Sequence, residues 1–263
     1  MTSCAHLLDH ADAEAHLVQL YGSDDRLLTR NVSRFLAEGL RRGDGLVTIA
    51  SPEHTESIAR QLRDERGYSK AVLEGRLVFL EAQATLEDLL VEGLPDATRF
   101  DSVVGGTLRQ VQTRAGHTGL RAYGEMVGIL WKEGQYAAAA RLEELWNKLL
   151  KSSHIRLFCG YPIDIFGEDF QVEKVDSLLC AHTHMLPVDE ALESALHRAM
   201  NEVLGARVDG LRTLMKANYR PSWGEVPRTE ALILWLRNNL PGSAGEILSL
   251  ARRYYKAQAA STV

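Results

Sequence analysis

A chain of 263 residues with 45% hydrophobic content can bury a full core, as one large domain or as a medium and a small one. Lys and Arg number 20 against 27 Asp and Glu up to Pro187, a formal −7, and 10 against 8 from Val188 onward, a formal +2. Neither part offers the basic surface that a nucleic-acid backbone needs. Three widely spaced cysteines, Cys4, Cys159 and Cys180, argue against a disulfide framework and for a reducing compartment. There is no apolar stretch of about 18 residues and no charged head before a greasy core, so we expect neither a signal peptide nor a membrane span, and a cytoplasmic location.

From His16 to Pro162 short β-rich apolar runs alternate with longer segments of helical period, the pattern of a parallel sheet covered by helices. Strands are expected at 16–21 (HLVQLY), 45–51 (GLVTIAS), 77–82 (LVFLEA), 120–126 (LRAYGEM) and 156–162 (RLFCGYP). Helices are expected between them at 25–41, 53–65, 86–94, 99–114 and 133–151, the last containing the strongest helix-forming run, AAAARLEELWNKLL. Asp24 and Asp25 are placed to cap the first helix, and Ser51-Pro52-Glu53 opens the second. The glycine pair Gly105-Gly106 falls inside a helical segment and suggests close helix packing. A connecting stretch at 164–187, with one helix, ends in CAHTHMLP. From Val188 onward the period is helical, interrupted at 219–227 and 241–245. The expected architecture is α/β: a mostly parallel sheet flanked by helices over residues 1–187, then an all-helical extension over 188–263 for output or dimerisation.

In open parallel α/β sheets, ligands bind beyond the carboxyl ends of the strands. The residues that follow these strands are polar: Tyr21, Gly22 and Ser23; Pro52, Glu53 and His54; Glu81; Glu125; and Tyr161 with Asp164. Any one of these fits a helix cap or a solvated loop, but five edges carry them together. Glu125, at the end of an otherwise apolar strand, either pairs with a structural donor or addresses a ligand, because a buried carboxylate needs a partner. Glu143, Trp146 and Asn147 share one helix face, which reads as packing around Trp146 or as part of a site. Trp131 reads as core or pocket wall.

Cys180, His182 and His184 alternate with spacers, and Cys4, His6 and His10 look superficially similar. Neither set has the paired spacing of a structural zinc site, so no metal and no cofactor are expected, and a histidine capping the link is the better reading of CAHTHMLP. There is no GxSxG, HExxH or GxGxxG, and no phosphate loop of the GxxxxGK type. The chain is therefore not expected to be an enzyme or an ATPase.

The segments HLVQLY (16–21), GDGLVTIASPEH (43–54), GLRAYGEMVGILWKEG (119–134), RLEELWNKL (141–149), LFCGYP (157–162) and CAHTHMLP (180–187), in this order, resemble the MEDS domain, a prokaryotic sensory domain named from methanogens, methylotrophs and the dichloromethane-responsive regulator. The resemblance spans roughly residues 12–187. It implies a fold similar to RecA and KaiC ATPases, degenerate in lacking the phosphate loop, and the sensing of simple hydrocarbon derivatives. Its motifs fall here on His16, Tyr21, Glu53, His54, Glu125, Trp131, Glu143, Trp146, Asn147, Cys159 and Tyr161, which become the candidate ligand-binding residues. Family members are usually joined to a helix-turn-helix, kinase or ATPase output module; here we expect no N-terminal DNA-binding helices and no kinase or ATPase motif after Pro187. The expected function is a non-catalytic signal-transduction sensor that binds a small molecule at the strand edge and relays its state through the tail to a partner protein or a second copy. Two other readings are a transcriptional regulator reading DNA through the helices around Arg252, Arg253 and Lys256, and an enzyme using Glu125 and His54 as acid and base.

Overall fold

Strands that run apolar at nearly every position are buried on both faces, as a parallel sheet between helix layers requires. In the computed structural model, which describes residues 4–188, 190–205, 208 and 223–261, this holds for the first of two compact units, Met1–Pro162 and Ile163–Val263. In chain order the first unit comprises Cys4–Asp9 (α1), His16–Leu20 (β1), Arg26–Arg42 (α2), Gly45–Ala50 (β2), Pro52–Leu62 (α3), Tyr68–Leu73 (α4), Leu77–Glu81 (β3), Ala82–Leu89 (α5), Leu90–Val91 (β4), Leu94–Pro95 (β5) and Ala97–Phe100 (α6). A π-helical turn Asp101–Gly105 then leads to Gly106–Arg114 (α7), Leu120–Gly124 (β6), Met126–Lys132 (α8), Tyr136–Ser152 (α9) and Ile155–Tyr161 (β7).

The sheet of this unit has the order β3-β2-β6-β7-β1, with every pairing parallel. β1, β2 and β6 are buried throughout, whereas β3, at the edge, is partly exposed. Chain direction splits at the centre of this order. From β2 the chain goes on to β3 on one side, and from its neighbour β6 it goes on to β7 on the other. That is a topological switch point, where connections leave adjacent strand ends in opposite directions. One face is covered by α2, whose Phe35 meets Phe158 edge-on at 5.7 Å. The other is covered by α9, whose Glu143 accepts a hydrogen bond from the Tyr161 hydroxyl.

Local chemistry sets the element ends. Gly43, at φ 76°, closes α2 with its N–H on the Leu40 carbonyl, while the Asp44 N–H bonds the Gly39 carbonyl. Ser51 caps α3, accepting from the His54 N–H with Pro52 in the first turn, and Glu81 caps α5. The helix expected at 86–94 stops at Leu89, because Glu92 and Gly93 both take positive φ and turn the chain into the β4–β5 hairpin. The strand expected to run to Met126 stops at Gly124, where Glu125 turns the chain into α8. Helices α1, α4 and α8 were not anticipated. Gly105 and Gly106 are helical, and at Gly105 the nearest crowding comes from side chains of its own helical segment. The Asp101–Arg109 ion pair lies over Gly105, where a Cβ would come within 2.7 Å of the Asp101 carboxylate.

At the opposite, amino-terminal end of the sheet sits a buried ion pair. Arg121, 0% exposed, donates to Asp44 at 3.2 Å and to the carbonyls of Leu8 and Phe35 at 2.9 and 3.1 Å, so it ties α1 and α2 to β6. Burial lowers its pKa against the opposing pull of Asp44.

The second unit contains Val172–Ala181 (α10), His184–Met185 (β8), Glu190–Leu204 (α11) and the helices Arg228–Asn239 and Pro241–Ser261. Its opening segment is bound to its closing helices. Arg237 donates to the carbonyls of Phe166 and Gly167, Arg252 pairs with Asp164 and lies over the Phe166 ring, and the buried Glu230 carboxylate accepts from the Val188 N–H. The interruption expected at 241–245 is instead the first turn of the last helix. Pro241 stands where a missing N–H costs nothing, and only Leu240 breaks the helical run. Of the other interruption, residues 219–222 lie outside the described residues. Among the described residues no helix is long and apolar enough to cross a membrane.

Candidate functional site

The switch point brings together residues far apart in sequence. The Glu125 backbone N–H bonds the Ile49 carbonyl, extending the β6–β2 ladder by one residue, and this sets the Glu125 side chain against the start of α3. There Glu125 Oε2 accepts the Ser51 N–H at 3.0 Å, while Oε1 accepts the Tyr123 hydroxyl at 2.8 Å and His54 Nδ1 at 2.6 Å. The other ring nitrogen of His54, Nε2, reaches Asp25 Oδ2 at 3.0 Å. Tyr21, just past β1, stands edge-on to the imidazole with ring centroids 5.8 Å apart. His54 and Glu125 are 10% and 6% exposed, whereas Asp25 is 51% exposed and forms the open end of the chain of contacts.

The electrostatics follow from this geometry. Burial alone would lower the His54 pKa, but the Glu125 hydrogen bond and charge, with those of Asp25, outweigh it and push the imidazole up to about 9. At neutral pH His54 is therefore an imidazolium, both nitrogens donating. Burial, reinforced by the charges of Glu125 and Asp25, pushes the Tyr21 phenol up, and burial with Glu125 does the same to Tyr123. The Glu125 carboxylate, on the Ser51 N–H at the N-terminus of α3, occupies the position that such a helix end offers to an anion.

A second polar cluster lies on the face covered by α9. His16 Nδ1 is 3.1 Å from Asn147 Oδ1, and His16 Nε2 is 3.4 Å from both Cys159 Sγ and Glu143 Oε2. The Tyr161 hydroxyl donates to Glu143 Oε1 at 2.6 Å. Burial raises the Glu143 pKa against the lowering pull of His16 and Tyr161, and burial with the Glu143 charge raises the Cys159 thiol well above its ordinary value.

The family model described as the methanogen/methylotroph, DcmR sensory domain matches residues 15–183. The chain belongs to the MEDS family. Neither curated proteins nor solved structures give a match. Of the residues matching MEDS motifs, the domain gathers Tyr21, His54 and Glu125 at the switch point, and His16, Glu143, Asn147, Cys159 and Tyr161 under α9. Trp131 packs edge-on against Tyr136 and Tyr161, and Trp146 against Phe100, so both are walls of the core. Glu53 is exposed in the first turn of α3 and joins neither cluster. Glu81 caps α5, and Asp164 lies in the second unit, where it holds Arg252.

Cys180, His182 and His184 do not converge. Cys180 is exposed at the end of α10, the buried His182 bonds the Leu178 carbonyl at 2.8 Å as a helix-end cap, and His184 bonds the Thr183 hydroxyl. Burial lowers the His182 pKa to about 4. Cys4 lies beside Asn31, and the rings of His6 and His10 are paired with each other.

Three residues of the MEDS switch point were missed in the sequence. Asp25 was read as a helix cap, yet its side chain makes no capping bond and goes to His54, while Asp24 takes the Arg26 N–H. Two acids where one cap suffices was the available signal. Tyr123 was hidden inside a strand, although alternation sets it and Arg121 on one face, each with a polar end to satisfy. Ser51 enters through its backbone N–H, which no sequence motif reports.

Proposed function

We propose that this MEDS domain is a sensor that binds a small, largely apolar molecule, a simple hydrocarbon derivative, at the carboxyl ends of β2 and β6, and does not turn it over. The observation that carries this reading is His54 clamped between Glu125 and Asp25 at the switch point, beside Tyr21. Glu125 already accepts three hydrogen bonds and His54 is already protonated, so neither is poised as a general base at neutral pH. A phosphate-bearing ligand would meet the Glu125 carboxylate at the N-terminus of α3, in keeping with the missing phosphate loop. The Tyr21 hydroxyl and the outer Asp25 oxygen are the polar groups that fix a small ligand's orientation. Relay passes through the helices from Val188 onward to a partner protein, and a ligand drives it by binding one arrangement better than the other.

Native mass spectrometry of the purified chain identifies a retained small molecule, and a panel of dichloromethane and short alcohols supplies probes. Hydrogen exchange with a bound probe should slow at residues 21–25, 51–54 and 123–126 and change within 188–256. Exchange unaltered in all of these segments overturns the sensor reading, and a change confined to the strand edge overturns the relay. If Glu125→Gln abolishes turnover of a bound probe, the protein is an enzyme.

A further inference from the structure

We propose that His16 Nε2, Cys159 Sγ and Glu143 Oε2 are ligands of a divalent transition-metal ion, zinc in the first instance, on the face of the sheet beneath α9. These ligand atoms lie within 4.8 Å of one another, and all three residues are buried. The two edges that meet at His16 Nε2 have the lengths found in a coordination shell. With zinc–sulfur bonds of about 2.3 Å and zinc–nitrogen and zinc–oxygen bonds of about 2.0 Å at the tetrahedral angle, the nitrogen–sulfur edge is about 3.5 Å and the nitrogen–oxygen edge about 3.3 Å. Both edges measured from His16 Nε2 are 3.4 Å.

The surroundings match as well. A metal-bound histidine characteristically donates its other ring N–H to an acceptor that fixes tautomer and orientation, and a ligating carboxylate is itself hydrogen-bonded. Here His16 Nδ1 faces Asn147 Oδ1, and Tyr161 holds Glu143 Oε1, which leaves Oε2 on the side of His16 and Cys159. The ligand types suit zinc, an ion at home with thiolate, imidazole and carboxylate together. A thiolate and a carboxylate also cancel its double charge, so the filled site is neutral in an interior where a net charge is costly. Binding releases the thiol proton to solvent, as metal coordination by cysteine requires. The ion would join β1, β7 and α9 at one point.

The full chain, prepared with chelator and then dialysed, is titrated with Co²⁺ and with Zn²⁺. One Co²⁺ per chain should bind and produce a near-ultraviolet thiolate-to-cobalt charge-transfer band, zinc should displace it, and Cys159→Ser should remove the band although Cys4 and Cys180 remain. Asn147→Ala keeps all three ligands and should weaken zinc binding by about 10–100-fold in chelator competition. Circular dichroism establishes that each variant is folded, and if Cys159→Ser does not fold, the Asn147→Ala competition decides. A purely hydrogen-bonded cluster predicts no band and no stoichiometric metal. Absence of the band, its persistence in folded Cys159→Ser, or zinc affinity unmoved in Asn147→Ala overturns the proposal.

Discussion

Removing the charge of His54 should convert a pH-dependent part of the folding free energy into a constant. In the folded protein the imidazole is raised from an ordinary 6.5 to about 9. Each decade of proton affinity is worth about 1.4 kcal/mol, so the protonated ring contributes about 3 kcal/mol of stability. A raised pKa gives stability that is complete below pH 6.5 and is lost as pH rises through 9. Linkage gives about 3 kcal/mol at pH 6, about 1.4 kcal/mol at pH 8 and close to zero at about pH 10. The assay is urea unfolding of the wild type and His54→Gln across this range, taking the difference at each pH so that titrations common to both cancel. The difference should shrink by about 3 kcal/mol from pH 6 to about pH 10. The share owed to the half-exposed Asp25 should weaken in salt, and Asp25→Asn should reduce the slope without abolishing it. A difference independent of pH would refute the imidazolium reading of the clamp.

Three further outcomes follow from the packing. Glu125→Gln removes the charge that holds up the His54 pKa, so by NMR the imidazole should titrate well below 9, and an unchanged midpoint would assign the shift elsewhere. Gly160→Ala brings a Cβ within 2.7 Å of the Tyr123 hydroxyl, which should cost about 1–3 kcal/mol, and Tyr123→Phe in the same chain should recover part of it; equal cost in both backgrounds would exclude this clash. Arg121→Met strands the buried Asp44 carboxylate and should destabilise by about 3–5 kcal/mol in urea unfolding, with part restored by adding Asp44→Asn.

Much of the fold was legible because burial imposes a period. Runs such as HLVQLY and GLVTIAS are apolar on both faces only if both faces are covered, and helices such as 136–152 are amphipathic because one side meets the sheet. Breaks were less legible where glycine or proline admits two readings. Gly93 ends a helix in a hairpin turn, whereas Pro241 begins a helix that the sequence suggested was interrupted. Of the candidate site, the strand-end rule picked out Tyr21, His54 and Glu125 individually, and the MEDS motifs picked out His16, Glu143, Asn147, Cys159 and Tyr161, without saying which belonged together.

The sequence by itself determined the α/β alternation, the absence of a phosphate loop, the family, and a set of polar residues in places where apolar ones were expected. It could not determine partners, because periodicity says which face a residue is on and nothing about the order of strands. His54 and Glu125 are 71 residues apart and Asp25 and His54 are 29 apart. They meet only because β2 lies beside β6 and α2 returns across their ends. The same strand order sets β1 beside β7, and with α9 above them it turns five separate motif residues into one cluster, buried except for the half-buried Asn147. Tertiary structure decided that Asp25 would clamp a histidine instead of capping its own helix: a hydrogen bond to an imidazolium is charge-assisted on both sides and stronger than one to a neutral backbone N–H.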